Sequence, residues 1–481
     1  MKYFDYKYSD LQYPVMVNND GSNVLMGKLE IPLSENVEEV EIPIITINTA
    51  NIEKPEDIEK MVVVERKKVK AYTFFCVAGS EYSRGGDGTE GNPWASINYA
   101  LHKLQPLVDC VAKYYCCQVY IQLKCSGVCE YYISGNIDEN NEYTGGLFSG
   151  KKVFILSDVV LKRKEKKQDL YYGYIDKNGD VGIHDCYIKN MTFNGSDFLC
   201  RGDDNIIYDS SFTHKKQKVV KFGDNDYPKD EEFRLRMFFF YGQGTCFISS
   251  DFEIEESLDA TYIKHNGQCT KKISSADFYH GMMGWRNEKI YYDCVFSLKC
   301  SSTAVSGEYP WGCDDTGVSA WSEGAIPIGS TSYLIDCKIN VFLRALSLCR
   351  SGDATVSALC YFSTLHVDVA VGVDINIEVE SESVVESYPP EDGRYVLIKN
   401  HANSTIFVLS GQVLYNVNAK LSVNLKESAP NVGGSLYCDC GCRFNGTGFN
   451  SVRYHDRCMC NVSVSGCDNM ESNFEKYRWE E

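Results

Sequence analysis

A short phrase recurs through the middle of this chain: two small or acidic residues, any residue, then an apolar one. It reads Asp185-Cys186-Tyr187-Ile188, Asp209-Ser210-Ser211-Phe212 and Ser249-Ser250-Asp251-Phe252, then Ser275-Ala276-Asp277-Phe278, Asp293-Cys294-Val295-Phe296 and Asp336-Cys337-Lys338-Ile339. Successive second positions lie 24, 40, 26, 18 and 43 residues apart. Two of these spacings are close to double a unit of roughly 20–22 residues, which is within the range of solenoid repeats. The small position suits a tightly stacked inward site, and the apolar position fills the bore. Alternating runs continue at 365–373, 405–409, 413–417 and 421–425. Two β-sandwiches would also show short strands between turns, but they need not keep one phrase from residue 185 to residue 339. The expectation is an all-β solenoid, and only 12 prolines in 481 residues fit interior strands that need every N–H.

Composition closes off other classes. An apolar fraction of 44% with 24% charged residues is that of a folded globular chain. No apolar window approaches the length of a spanning helix. With 48 basic and 66 acidic residues the formal charge is −18, which disfavours nucleic acid and anionic membrane as partners. The basic runs at 162–167 and 215–221 read as solvated turns. The first residues, Met1-Lys2-Tyr3-Phe4-Asp5-Tyr6, show no apolar export segment, so the expected compartment is a reducing cytosol, where thiols persist. The 22 cysteines are then buried small hydrophobes rather than a disulfide framework.

Residues 1–70 contain no cysteine and carry alternating runs at 24–31 and 37–47, a helical turn at 55–61 and a strand at 62–69. They read as a small β-rich leader module, with residues 71–481 as the main domain. At the junction, Phe75-Cys76-Val77-Ala78-Gly79-Ser80 leads into Gly86-Asp87-Gly88-Thr89-Glu90-Gly91-Asn92-Pro93-Trp94. This predicts a strand, a glycine-rich turn, and a helix with Pro93 at its first position, where the missing N–H costs nothing. Ile97, Ala100, Leu101, Leu104 and Val108 give that helix one buried face. The passage resembles the entry segment of right-handed parallel β-helix proteins of the pectate-lyase-like superfamily, in which a Gly-Thr-x-x-Asn-Pro turn opens a capping helix. The resemblance implies the fold and not the chemistry. The galacturonase motifs of that superfamily (Asn-Thr-Asp, Gly-His-Gly, Arg-Ile-Lys) and the lyase Arg-x-Pro-x-x-Arg are absent here.

Three groups of residues are candidates for chemistry. Cys438-Asp439-Cys440-Gly441-Cys442 and Cys458-Met459-Cys460 could hold zinc. However, no Cys-x₂-Cys occurs, and both offsets, 438 to 458 and 440 to 460, are 20. That spacing favours a thiol ladder between adjacent coils, with no metal and no cofactor. The acid pairs Asp203-Asp204 and Asp314-Asp315 could flank a glycosidic bond, yet neighbours on a strand face opposite ways, and solvated turns explain them as well. Third, an insertion between Ser301 and Ser330 brings together Glu308, Tyr309, Trp311, Asp314, Asp315, Trp321 and Glu323, with Trp285 and Arg286 about one coil earlier. Aromatic faces beside carboxylates suit sugar binding. Trp285, Arg286, Trp311 and Trp321 are the ligand candidates, and Asp314, Asp315 and Glu323 the catalytic ones. Tryptophans folded onto the scaffold would account for the same residues equally well.

Three function classes follow. The first is a receptor-binding, spike-like component of a phage or related particle that recognises surface polysaccharide, attached to other particle or tail proteins through residues 1–70 and compatible with a homo-oligomer. The second is a polysaccharide-degrading enzyme of the same fold, and the third a purely structural solenoid. A chain without an export signal and with a distinct leader favours the first, on fold-level analogy.

Overall fold

The structure is a computed structural model. It describes residues 15–17, 23–25, 36–48, 62–81, 83–114, 119–131, 133, 148–162, 183–194, 199–200, 202–222, 238–240, 244–262, 282–284, 289–306, 317–324, 332–349, 355–362, 369–385, 401–407, 415–417, 420–427, 433–438, 443–447, 451–454, 462–465 and 469–472.

The protein is mostly β, and its main sheets are built of parallel strands. Sheet one holds eleven strands and sheet two another eleven. From Val119–Ser126 onward the chain visits sheet one, then sheet two, and returns to sheet one beside its previous strand. A six-stranded parallel third sheet starts at Gly317–Gly324 and ends at Asn469–Ser472. Strands of the third sheet pack against strands of sheet two.

The corner between sheets one and two explains the recurring phrase. Its first residue lies in the left-handed region: Asp158, Asn190, Asp209, Ser249, Asp293, Asp336 and Gly372 all have φ between +45° and +63°. Asn, Asp and Gly enter this region at least cost. The next residue, Val159, Met191, Ser210, Ser250, Cys294, Cys337 or Val373, is at most 3% exposed. Where that residue is Ser or Cys, its side chain donates to the carbonyl two positions back: Ser210 to Tyr208, Ser250 to Ile248, Cys294 to Tyr292 and Cys337 to Ile335. A small side chain with one donor therefore turns the chain and satisfies a buried carbonyl in the same step. Backbone bonds join each corner to the next, as in Asp251 N–H to Ser210 O and Val295 N–H to Ser250 O.

After the corner, the fourth residue of the phrase enters an apolar column in strict register: Leu161, Phe193, Phe212, Phe252, Phe296, Ile339, Ile375, Leu421, Phe444 and Val462. Phe212, Phe252 and Phe296 stack with centroids 4.9 and 5.0 Å apart. Phe247 and Tyr291 stack likewise on sheet one, and their rings meet the phenylalanines edge to face. Such pairing adds to the gain from area burial.

The unit length differs from the one the phrase suggested. Through the middle of the stack, the register partners Phe212, Phe252, Phe296, Ile339, Ile375 and Leu421 mark circuits about twice as long as expected. The circuit from Phe193 to Phe212 and the last two, Leu421 to Phe444 and Phe444 to Val462, come down to the expected length. The extra length feeds the long sheet-two strands and, from Gly317 onward, the third sheet. The phrase at 185–188 belongs to the opposite corner, before sheet one, and the one at 275–278 lies outside the described residues. The basic run at 215–221 is part of the strand Ser211–Phe222, not a turn.

At the N-terminal end, the helix Ile97–Tyr114 packs on the strands Val62–Val77, Val119–Ser126 and Phe148–Ser149. All five residues expected on its inner face are fully buried. The helix begins at Ile97 rather than Pro93, with Ser96 as its cap: the Tyr99 N–H donates to Ser96 Oγ. Pro93 and Trp94 instead edge the preceding strand, because Trp94 pairs with Cys76 and stacks on Phe74 at 5.4 Å. Gly88 has φ +81°, and a Cβ there would stand 2.7 Å from the Trp94 ring. That close approach is what the glycine-rich turn permits.

The strand Val62–Val77 crosses the boundary drawn between residues 70 and 71. Its second half pairs in parallel with Val119–Ser126, and its first half forms an antiparallel hairpin with Val37–Ile47. The hairpin covers the outward face of sheet one, packing Val40, Ile42 and Val62 into one cluster with Ile155, Tyr187, Ile206, Ile248 and Ile335. Arg66 donates to both carboxylate oxygens of Asp209, at 2.8 and 3.1 Å, and to Ser249 Oγ. Tyr208 donates its hydroxyl to the Glu41 carbonyl.

Two substitutions test this architecture. In urea unfolding, Phe252→Ala is expected to cost about 3–5 kcal/mol, as for a large aromatic removed from a packed interior. Asp293→Val should cost about 1–2 kcal/mol from the left-handed backbone alone, while Asp293→Gly stays near the parent. Equal stability of the Val and Gly variants would contradict the corner geometry.

Candidate functional site

The sequence candidates divide between two places. Trp285, Arg286, Trp311, Asp314 and Asp315 lie outside the described residues. Trp321 and Glu323 sit on the first strand of the third sheet, in register with Leu359 and Tyr361. They occupy alternate positions of one strand. The stretch from Ser301 to Ser330 is not an insertion peculiar to one coil. It begins as the end of the strand Val295–Ser306, and the circuit containing it is as long as the one before it. Asp203 and Asp204 form the corner before sheet one, where Asp204 has φ +56° and the Asp203 carbonyl accepts the Asp185 N–H.

The cysteine ladder at the C-terminal end is corrected by register. Cys438 pairs with Tyr454 rather than Cys458, because the circuit closes before the chain reaches the second cysteine. Cys440, Cys458 and Cys460 lie outside the described residues. Elsewhere Cys186, Cys246, Cys294, Cys300 and Cys337 are buried. Cys76 and Cys125 are register partners, with Cys76 Sγ donating to Cys125 Sγ at 3.2 Å. Among the described residues, no three His, Cys, Asp or Glu side chains gather as a metal site. A buried His214–Glu256 pair, 2.6 Å apart, links adjacent rungs inside sheet two.

A feature that spacing alone did not reveal lies on the outward face of sheet two. There the residue after each of the first six members of the apolar column is Lys162, Asn194, Thr213, Glu253, Ser297 or Asn340, and Asn376, Ser422, Asn445 and Ser463 follow at the same register position. Every one can form hydrogen bonds. Lys162, Asn194 and Asn340 are exposed, and Thr213, Glu253 and Ser297 half-buried. At about 4.8 Å per rung, the six rungs from Lys162 to Asn340 span roughly 24 Å. The signal was present as a dipeptide, Leu-Lys, Phe-Asn, Phe-Thr, Phe-Glu, Phe-Ser, Ile-Asn, Ile-Asn, Leu-Ser, Phe-Asn and Val-Ser. Unequal circuit lengths hid it from any fixed spacing.

Two positions further along each strand, charges alternate by rung. Lys215 Nζ donates to Glu253 Oε1 at 2.7 Å, and Lys299 Nζ to Glu255 Oε1 at 2.7 Å. The hydrogen bond to Glu253 raises the Lys215 pKa, and that from Lys299 lowers the Glu255 pKa. Next in this second column stands Phe342, half-buried, between Lys299 and Glu378. The result is a surface of paired charges and neutral hydrogen-bonding groups beside one aromatic ring.

Comparison with known proteins leaves the class at the level the fold defines, an all-β protein of stacked parallel sheets. No family model, no curated protein and no solved structure matches the chain.

The buried thiols set a pH dependence. Burial pushes Cys246 from an ordinary value near 9 up to about 12 and Cys129 up to about 11. Cys125 and Cys294 are raised as well, by burial first and by a neighbouring thiol second. A raised thiol pKa means the folded state holds its proton after the unfolded chain has released it, so stability is full below pH 9 and falls above it. Thermal midpoints measured from pH 8 to pH 11 should therefore drop steeply above 9. A flat profile would show that these thiols are not buried.

Proposed function

We propose that this chain is a right-handed parallel β-helix serving as a receptor-binding, spike-like component of a particle that recognises surface glycans. The observation that carries this reading is the in-register stack, whose outward face on sheet two presents a hydrogen-bonding residue on each rung from Lys162 to Asn340. A stiff scaffold that displays repeated polar groups suits recognition of a repeating polymer, since little conformational entropy is lost on binding. The entry segment at 75–101 supports the β-helix reading, through its Gly-Thr-x-x-Asn-Pro turn and the helix that packs on the first rungs. In this reading residues 1–70 attach the protein to its particle through the side of the hairpin turned away from sheet one and through the residues before it. Trp311 and Trp321, with Trp285 and Arg286, form a lateral sugar-binding surface with Asp314, Asp315 and Glu323.

The test is incubation with a panel of bacterial surface polysaccharides, read both for binding and for chain shortening. Binding without shortening is the expected result. Trp311→Ala should weaken it by about 1–3 kcal/mol, the scale of losing an aromatic anchor. Shortening that disappears in Asp315→Asn or Glu323→Gln, with binding kept, would make the protein an enzyme instead. No binding to any glycan would overturn the reading.

A further inference from the structure

We infer that Cys76 and Cys125 form a site of reversible oxidation, at which a hydroperoxide closes an intramolecular disulfide and a low-molecular-weight thiol reopens it. The site is independent of the glycan reading and stands or falls on its own.

The first support is geometry. Cys76 lies on the strand Val62–Val77 and Cys125 on Val119–Ser126, as register partners of one parallel pair. Neighbouring strands stand about 4.8 Å apart, within the span of roughly 4.4–6.8 Å between the Cα atoms of a disulfide. Cys76 Sγ donates to Cys125 Sγ at 3.2 Å, and both sulfurs are thiols in this structure. A disulfide of about 2.05 Å therefore leaves the two sulfurs a short distance to close. Other thiols are turned toward backbone oxygen. Cys129 Sγ donates to the Tyr131 carbonyl, Cys294 Sγ to those of Phe247 and Tyr292, and Cys337 Sγ to those of Tyr291 and Ile335. Cys294 and Cys337 also neighbour one another, yet both are wholly buried. Cys125 keeps 7% of its surface, and the corner that follows it, Ser126, Gly127 and Val128, is exposed, as are Gly79 and Ser80 just beyond Cys76.

The chemistry closes without any further reactant. One sulfur attacks a peroxide oxygen: an S–O bond forms, the O–O bond breaks, and the departing oxygen leaves as water or an alcohol with the thiol proton. The second sulfur then attacks the resulting sulfenic sulfur, forming the S–S bond and breaking the S–O bond, and its proton leaves with the hydroxyl as water. The two thiols lose two electrons and the peroxide gains them. Two small thiols reverse the bond by exchange, the first through a mixed disulfide and the second by releasing it. Burial first, and the Cys76 thiol second, raise the Cys125 pKa. A protonated sulfur is a poor nucleophile, so the pair withstands mild oxidant and reacts faster as pH rises.

The position of the bond gives it a consequence. It would enclose the glycine-rich turn and the whole helix Ile97–Tyr114 in one loop, and tie the strand that carries the hairpin to the next strand of sheet one. A stack is held at its end by neighbours on one side only, and a cross-link there removes freedom from the opened chain.

The test treats the full chain with hydrogen peroxide, alkylates the remaining thiols and maps the unreduced peptides by mass spectrometry, while amide exchange is followed in the helix Ile97–Tyr114. The expected result is a Cys76–Cys125 link that appears before any other and is lost on adding dithiothreitol. In the linked protein, exchange of the helix slows by about tenfold or more. Cys125→Ala should abolish both effects and Cys129→Ala should keep them, each variant being compared with its own reduced form. Should Cys125→Ala fail to fold, the map of the parent protein and its reversal still decide. Thiols left unmodified in excess peroxide, sulfinic acid at Cys76 or Cys125 without a link, or a link from Cys76 to Cys129 would each overturn the site. A Cys76–Cys125 link that leaves helix exchange unchanged would overturn its role at the end of the stack.

Discussion

Everything in this molecule depends on holding the register of one strand against the next. A slip of a single residue would turn the apolar column of sheet two outward and the polar column inward. Register is enforced at the corner between sheets one and two, not by the strands themselves. There a left-handed residue makes the turn, and a buried residue follows it. Between them they leave no freedom in where the next strand starts. The side-chain donors of Ser210, Ser250, Cys294 and Cys337, each returned to the carbonyl two residues earlier, make this corner specific rather than merely compact. Serine and cysteine are interchangeable at it because each supplies one donor at minimal volume. That accounts for part of the cysteine content without any disulfide or metal.

The two ends of the short sheet-one strands are tied down by cations, one from the hairpin and one from the turn before the strand Phe154–Ser157. Arg66 reaches from the hairpin to Asp209 and Ser249. Lys152 reaches the Asp204 carbonyl and lies 3.8 Å from Asp185. These contacts are partly exposed, and such pairs contribute little stability individually. Their role is positional: each bridges adjacent rungs at a corner where acidic residues would otherwise stack. The hairpin gains its hold from apolar burial instead, since Val40, Ile42 and Val62 close a face of sheet one that would expose tyrosines and isoleucines.

Much of this was legible in the sequence. The four-residue phrase is a direct image of the corner, and its αL residue, buried donor and inward apolar residue are all readable in Asp293-Cys294-Val295-Phe296. The capping helix was legible from its periodicity, though its start was not. Trp94 needed the edge of the preceding strand, and this moved the helix cap to Ser96. Circuit length was not legible, because the loops between sheets obey no local rule and the third sheet enters only from Gly317 onward. For the same reason the stacking of Cys438 on Cys458 was misjudged, since the circuit there closes at Tyr454, short of the second cysteine. The polar column was hidden too, although every member follows an apolar residue in plain sight. As a candidate site it emerges only when strands are aligned by register.

The most direct test of the account is a register measurement on the outward face. The pair Ser297→Cys and Asn340→Cys places two thiols on adjacent rungs at the same position, within reach of a disulfide, whereas Ser297→Cys with Arg344→Cys sets the second thiol further along the neighbouring strand, opposite Ser301. Mild oxidation followed by peptide mapping reads which pair closes. The account predicts rapid bonding in the first variant and none in the second. Efficient closure of the second pair, or failure of the first in a folded protein, would contradict the parallel in-register stack on which the rest is built.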